Sequence, residues 1–462
     1  MRRSTWRAHD RHSAESATAM HDTSPSAPAP LSAWRTHGLL FLLAFLYADN
    51  FIGRQIVAVM IEPIRLEFGA SDTSMGLISG LAFAAVFAVL GLPAGRLADR
   101  MSRTRLLALS SLCWGVATIL CALSGNFVLL VAARMLVAAV EAPAAPAALS
   151  LIADLYPPQR RAFAISCFTA APTFAAILAL SLGAWLVDQY GWRTTFVIVG
   201  TPALLISALL AFGAREPVRG AWDGSARVEL STSLLATVGQ LWANRPVRYL
   251  ILAGAVATLG GNAFGMWNAS FLVRSHGLEL RHAGLLTGLI GGTAAGLGVL
   301  FSGWLTDHLG KRDARWRFRI PLVGHVVGIA TLAAYLSWPT DVLTSIAGVP
   351  VPTAMLWCGI NGFFMVWWLG PSFSMLTSLV APANRAVAMA LQTMLSTLCG
   401  VGLGPVLTGA LSDLLQPAFG VESLRYAMFL SCTATSVAIV LFLVMRAALL
   451  REQPAQAVMT TA

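Results

Sequence analysis

Four ionisable residues stand inside runs otherwise apolar enough to enter a lipid bilayer. Asp49 and Arg54 lie in YADNFIGRQ, residues 47–55, and Arg134 and Glu141 lie in RMLVAAVE, residues 134–141. Acids in such a setting can take up and release protons, and guanidinium groups can hold a phosphate or a carboxylate. Each ionised residue at the centre of a membrane helix costs roughly 3 kcal/mol on the insertion scale, so the four together cost on the order of 10 kcal/mol unless paired or wetted. They are therefore expected to face one another across a polar interior. Arg134 and Glu141 sit two turns apart on one helical face, about 10.5 Å along the axis, and can line one cavity without touching. Pro143 and Pro146 follow at once, leaving the carbonyls of Ala139 and Ala142 without helical donors. Such carbonyls belong beside a cavity, because lipid would leave them unsatisfied.

Membrane helices must position these groups, and the composition supplies them. Of 462 residues 57% are hydrophobic and 11% charged, with a mean hydropathy of +0.71; a soluble domain could not hide that much apolar surface. Runs of the length needed to span, about 20 residues, fall at roughly 37–60, 74–97, 105–123, 127–150, 162–187, 194–213, 247–272, 283–306, 318–338, 351–380, 386–412 and 425–449. The expected fold is an all-α membrane protein of twelve transmembrane helices.

The bases orient it. With both termini inside, 24 Lys and Arg fall in the cytoplasmic segments and five, Arg65, Arg193, Arg274, Arg281 and Arg425, on the outer side; short basic loops stay cytoplasmic. The net charge of +10 thus reports topology and attraction to anionic membrane lipid rather than nucleic acid. Residues 1–33 lack the apolar stretch of a signal peptide and read as a disordered cytoplasmic tail, with Met20 a possible start. The expected organisation is that tail, a six-helix bundle over 34–213, a cytoplasmic linker over 214–246, a second bundle over 247–449 and a tail over 450–462. Six isolated cysteines with no CxxC spacing suggest neither a metal site nor disulfides.

The halves echo one another, as transporter halves do. GRLADRMSRTR, residues 95–105, follows the second run, and GWLTDHLGKRDAR, residues 303–315, follows the eighth. In each a glycine precedes an aspartate by four, Gly95 to Asp99 and Gly303 to Asp307, with bases after it, Arg100 and Arg103 in one copy and Lys311 and Arg312 in the other. Glycine permits close helix approach, and the aspartate can sit near a helix N-terminus or pair with the bases when the inner side closes, making a cytoplasmic latch. RRAFAI at 160 and RAVAMA at 385 form a second echo, each span closing on an aspartate, Asp188 and Asp413. The second half has no membrane-embedded charge to match the first. It offers Asn262, Trp267, Asn268, Asn361, Trp367, Trp368 and Gln392, a polar and aromatic set suited to lining a cavity around the apolar body of a ligand.

The duplicated loops resemble the signature loop of the major facilitator superfamily, and the first half is similar to its spinster-like branch. FIGRQIVAVMIEPIRLEFGASDTSMGLISGLAFA (51–84), ARMLVAAVEAPAAPAALSLIADLYPPQRRA (133–162), YGWRTTFVIVG (190–200) and GLGPVLTGALSD (402–413) carry the likeness, which runs nearly from Phe41 to Met445. It implies two pseudo-symmetric six-helix bundles, alternating access and a mid-membrane cavity, and for some animal members amphiphilic cargo such as lysophospholipids or sphingosine phosphate. One position departs: the branch reads FIDRQ where this chain has Gly53 before Arg54. Asp49, one turn earlier on the same face, can supply the missing acid; the alternative is that it pairs locally near the outer mouth and the proton site is lost.

The expected function is secondary active transport of an amphiphilic or anionic small molecule, without cofactor and driven by a proton gradient, by a monomer in a bacterial-type inner membrane. Asp49, Arg54, Arg134 and Glu141 would couple protons and bind the charged group. A drug or small organic-anion carrier of the same fold is the alternative; the Gly-Pro motif here sits in the eleventh run, whereas drug antiporters carry theirs in the fifth. An enzyme is disfavoured because no HExxH or GxSxG occurs.

Overall fold

In the computed structural model, residues 33–219, 234–313, 315–381 and 384–459 are described; the expected N-terminal tail through residue 32 and the middle of the linker lie outside them. Among the described residues, nine apolar helical stretches are long enough to cross a membrane. Two of them are pairs of spans: Pro158–Gly213 turns at Gly191, whose φ of 76° is open to glycine, and the run from Val387 to Arg451 turns at Gly420–Glu422. A further span, broken between Met365 and Leu369, completes twelve.

The first span is longer than its apolar run predicts. Ala33–Gln55 continues as Val57–Phe68, because Val57–Ile61 and Ile64 bury completely and carry Glu62 and Arg65 with them. The second span is Asp72–Gly76, a π turn Leu77–Leu81 and Ala82–Arg100. The third is Arg103–Ala122, and the fourth is Phe127–Glu141 followed, after a break at Ala142 and Pro143, by Ala144–Leu155. The seventh is Arg245–His276. The eighth runs from Leu280 through a π turn, Thr287–Gly292, to Gly310, the ninth is Trp316–Ser337, and the tenth is Ala354–Met365 with Leu369–Leu379. The eleventh is Arg385–Ser396, a third π turn Thr397–Leu403 and Gly404–Phe419, and the twelfth is Ser423–Thr433 with Thr435–Met459.

Two expected connections turn out to be structured. Leu234–Ala243, within the expected linker, is a helix whose Leu241 packs on the second bundle. Residues 342–352 form an antiparallel hairpin, Val342–Ile346 against Val349–Pro352. Its turn places Ala347 at φ 50° and Gly348 at φ 83°, the positive angles that a tight hairpin turn requires. The last helix continues past residue 450, where a tail was expected.

The distribution of the core reveals the shape. With an even number of spans, both termini lie on one face. In the half away from that face a single apolar cluster joins both bundles, with Ile56–Ile61, Met75 and Trp114 from the first and Trp267, Phe271 and Tyr335 from the second. In the half near the termini there are two separate clusters, one around Leu43, Leu107, Leu151 and Phe168 and the other around Leu250, Trp368, Leu376 and Phe442. Glycines at the shared half let backbones meet: a Cβ on Gly76 would lie 2.5 Å from the Pro405 carbonyl, and one on Gly80 would lie 2.4 Å from that of Val401. Two of the π turns thereby pack against each other; such turns inside α-helices are frequent at functional sites. The bundles are sealed on the face opposite the termini and part toward the termini.

Candidate functional site

The four embedded charges converge inside the first bundle, but not as two opposed pairs. Arg54, in the first span, donates to Glu141 Oε1 through Nε at 2.8 Å and through a second, shorter bond from Nη2. Glu141 is 2% exposed, whereas the Arg54 side chain stays a quarter exposed. Its guanidinium rests on Phe83 and Phe87 of the second span, 4.8 and 5.0 Å from the ring centroids. The two rings stack on one another, holding the cation on a pre-formed aromatic floor.

Among the described residues Arg134 meets no carboxylate. It is 2% exposed, and its Nη1 donates to the carbonyl of Gly53 at 3.1 Å while its Nε has no partner. Asp49 is 4% exposed, with Oδ2 likewise unpartnered among the described residues. The other oxygen of Glu141, Oε2, is also unbonded among the described residues. Two carboxylates and a guanidinium therefore keep unused hydrogen-bonding capacity at the depth of the break that follows Glu141. Buried polar groups in that condition call for a ligand, a proton or water. The break partly repairs itself: the Val140 carbonyl accepts a bond from Ser110 Oγ.

Gly53 itself is held as glycine by a neighbour that sequence reasoning missed. A Cβ there would lie 2.5 Å from Cζ2 of Trp114 in the third span, and Trp114 is buried with its indole N–H unpartnered among the described residues. The indole takes the room a side chain at 53 would need. Gly53→Ala is expected to destabilise the protein by about 1–3 kcal/mol, the usual result of overpacking. Thermal melts of Gly53→Ala with and without Trp114→Phe test this: the second substitution should recover part of the loss.

The expected latch is described only in part. Gly95 lies within the helix of the second span, and the side chain of Asp99 lies outside the described residues. Arg100, Asp307, Lys311 and Arg312 are exposed, and among the described residues no ion pair involves Asp307, Lys311 or Arg312. Arg103, by contrast, is buried within the first bundle, 1% exposed. It bonds Asp154 of the fourth span, Glu216 Oε1 at 2.8 Å, Ser150 and the Pro217 carbonyl. Glu216 also accepts from Ser102 Oγ and from the N–H groups of Arg103 and Thr104, so it caps the third span. Burial alone would raise its pKa, but these bonds outweigh it and hold the carboxyl at about 2. Of the two echoed aspartates, Asp188 is exposed and Asp413 is half-buried.

Most of the second-bundle set is packed into the bundle rather than turned to a cleft. Trp267, Asn268 and Asn361 are at most 1% exposed. The Trp267 indole donates to the Pro405 carbonyl, Asn268 accepts from Tyr335, and Asn361 donates to the Gly328 carbonyl. Each satisfies a backbone or hydroxyl group that would otherwise be stranded. Trp367 packs on Phe301, Phe363 and Phe364, and Trp368 and Gln392 press on Gly254. Asn262 is half-buried, its amide bonded to the Thr258 carbonyl in its own helix.

The Major Facilitator Superfamily is matched over residues 43–402. This chain belongs to that superfamily. Its spinster-like character rests on two likenesses. A crystal structure of a bacterial homologue of the human lysosomal transporter Spinster, inward-facing and unoccupied, superposes with a TM-score of 0.79 at 26% identity, over 91% of this chain and 98% of that one. The sphingosine-1-phosphate transporter SPNS2 of Danio rerio is 26% identical over 84% of this chain and 80% of its own. An MFS-type efflux pump of Mycolicibacterium smegmatis is 31% identical over 88% and 90%. This spinster-like transporter therefore has the twelve-helix major facilitator fold, parted toward the termini.

Proposed function

We propose that this transporter moves an amphiphilic or anionic small molecule by alternating access, driven by protons exchanged at Glu141 or Asp49. The Arg54–Glu141 pair on the Phe83 and Phe87 rings carries this reading. A proton on Glu141 removes the charge that holds Arg54, and the freed guanidinium, already a quarter exposed, takes a phosphate or carboxylate while the rings meet its apolar neighbour. Arg134, bonded only to a carbonyl among the described residues, keeps the site cationic when Glu141 is protonated. Asp49, one turn from Gly53, would serve as the second acid. One proton crossing about 100 mV and one pH unit supplies roughly 2.3 and 1.4 kcal/mol, enough for a gradient of several hundredfold.

With both termini cytoplasmic, the described arrangement is inward-facing. The likeness to an efflux pump supports a second reading, a drug or small organic-anion carrier using the same arginine. Proteoliposomes carrying a labelled lysophospholipid distinguish the two. Under an imposed pH gradient the wild type should move the label against its own gradient and stop when an ionophore collapses the driving force. If the lipid stays put while a small organic anion moves, the second reading stands.

A further inference from the structure

Far from the coupling site, at the face opposite the termini, one arginine joins the two bundles. Arg274, near the end of the seventh span, donates Nε to Glu62 Oε1 at 2.7 Å. Its Nη1 and Nη2 reach Asp72 Oδ2 and Oδ1 at 2.7 and 2.8 Å. Glu62 belongs to the first span and Asp72 opens the second, so a second-bundle guanidinium grips two first-bundle carboxylates, one of them in the two-bond fork that favours arginine over lysine. Among ion pairs whose partners are both described, only those of Arg274 cross between the bundles. A reciprocal contact lies beside it: Asp413 of the eleventh span accepts the N–H groups of Asp72 and Thr73 at 2.9 and 2.8 Å and the Thr73 hydroxyl at 2.6 Å. Ser412 donates to Asp72 Oδ2 at 2.7 Å.

We propose that Arg274, with Glu62, Asp72 and Asp413, is the clasp that holds this face shut, and that each transport cycle must break it. Three observations make it a gate rather than a surface ion pair. Glu62 and Asp72 are 8% and 6% exposed, so the charges are shielded from the solvent that weakens exposed pairs. Backbones meet at the same level: a Cβ on Gly409 would lie 2.2 Å from the Asp72 carbonyl, so the clasp and the close packing must release together. Every partner lies across the bundle boundary, so rocking the bundles apart separates all these bonds at once. Arg65 supplies a contrast, since it touches the same carboxylates, Glu62 at 3.2 Å and Asp72 at 3.8 Å, from within the first bundle. It travels with them and holds nothing across the boundary. The clasp rests on the alternating-access reading proposed above and is independent of the cargo and the coupling ion.

Spin labels at Leu66 and Val421, 71% and 66% exposed on opposite bundles at this face, report its opening by pulsed electron resonance. The exposed Cys167 and half-buried Cys113 and Cys399 are first replaced by alanine. The wild type should show mainly the short distance. Arg274→Ala should raise the ratio of long to short by about ten-fold, Arg274→Lys should shift it less in the same direction, and Arg65→Ala should leave it at the wild-type value. Gly409→Ala, which wedges the same contact without touching a charge, should also lengthen the distance and stands in if the arginine variants do not purify. Unchanged distances in Arg274→Ala and Gly409→Ala overturn the proposal, as does an Arg65→Ala shift equal to that of Arg274→Ala.

Discussion

Glu141→Gln should reduce gradient-driven transport by about 100-fold or more, because losing the partner of a mostly buried charge costs about 3 kcal/mol and the variant has no acid to protonate at that point. The amide can still accept from Arg54, so the pair geometry survives while the switch is lost. Initial rates in proteoliposomes, with and without an imposed pH gradient, separate the two effects. A proton-coupling role requires the gradient-dependent part to vanish while exchange of labelled for unlabelled cargo at equal pH persists. A merely structural role would lower both in proportion. Asp49→Asn completes the test. If Asp49 is the second acid, this variant too loses its response to the gradient; full coupled transport by Asp49→Asn would show that Glu141 acts alone.

Arg103→Ala should be among the most destabilising single changes in the protein, by about 3–5 kcal/mol, the cost of removing one member of a buried ionic network. The guanidinium bonds Asp154, Glu216, Ser150 and the Pro217 carbonyl at once, so its removal loosens the third span, the fourth span and the chain leaving the sixth together. Arg103→Lys keeps the charge but not the fork and should fall between. The effect should depend on pH. Glu216 is held at about 2, below its ordinary 4.5, so its contribution is complete above pH 4.5 and is lost as the pH falls toward 2. Melts of wild type and Glu216→Gln should therefore differ most near neutrality and converge in acid. A constant difference across that range would remove the network from the account of stability.

The same two regions show where reasoning from residue types reaches and where it stops. Hydropathy and arginine placement alone required a twelve-helix membrane protein, because an embedded run of about 20 residues has few alternatives in lipid. The cost of charge in lipid likewise picked out Asp49, Arg54, Arg134 and Glu141, since such residues are rare unless something uses them. Their partners were not legible. Arg54 chooses Glu141 while Arg134 settles on the Gly53 carbonyl, a division that depends on how the first and fourth spans pack. Phe83 and Phe87 follow an i, i+4 spacing that any packed helix shows, so no signal set them apart from core.

The second bundle misled for a related reason. Asn and Trp inside a membrane helix serve either a cavity or a stranded neighbour, and only the positions of Tyr335, Pro405 and Gly328 show that Asn268, Trp267 and Asn361 do the latter. Arg103 was read as a latch base because its loop is basic, yet an acid more than a hundred residues away, Glu216, draws it inward. The clasp of Arg274 with Glu62 and Asp72 lay in plain view as three charges near loop ends, indistinguishable from solvated ones until the first span ran on to Phe68 and buried them. The sequence by itself determined the number of spans and which residues are too costly to be idle, for those follow from the transfer of single residues into lipid. Which charge meets which, which face is shut and which aromatics form the floor of the site were decided by tertiary structure, for they depend on how distant helices cross.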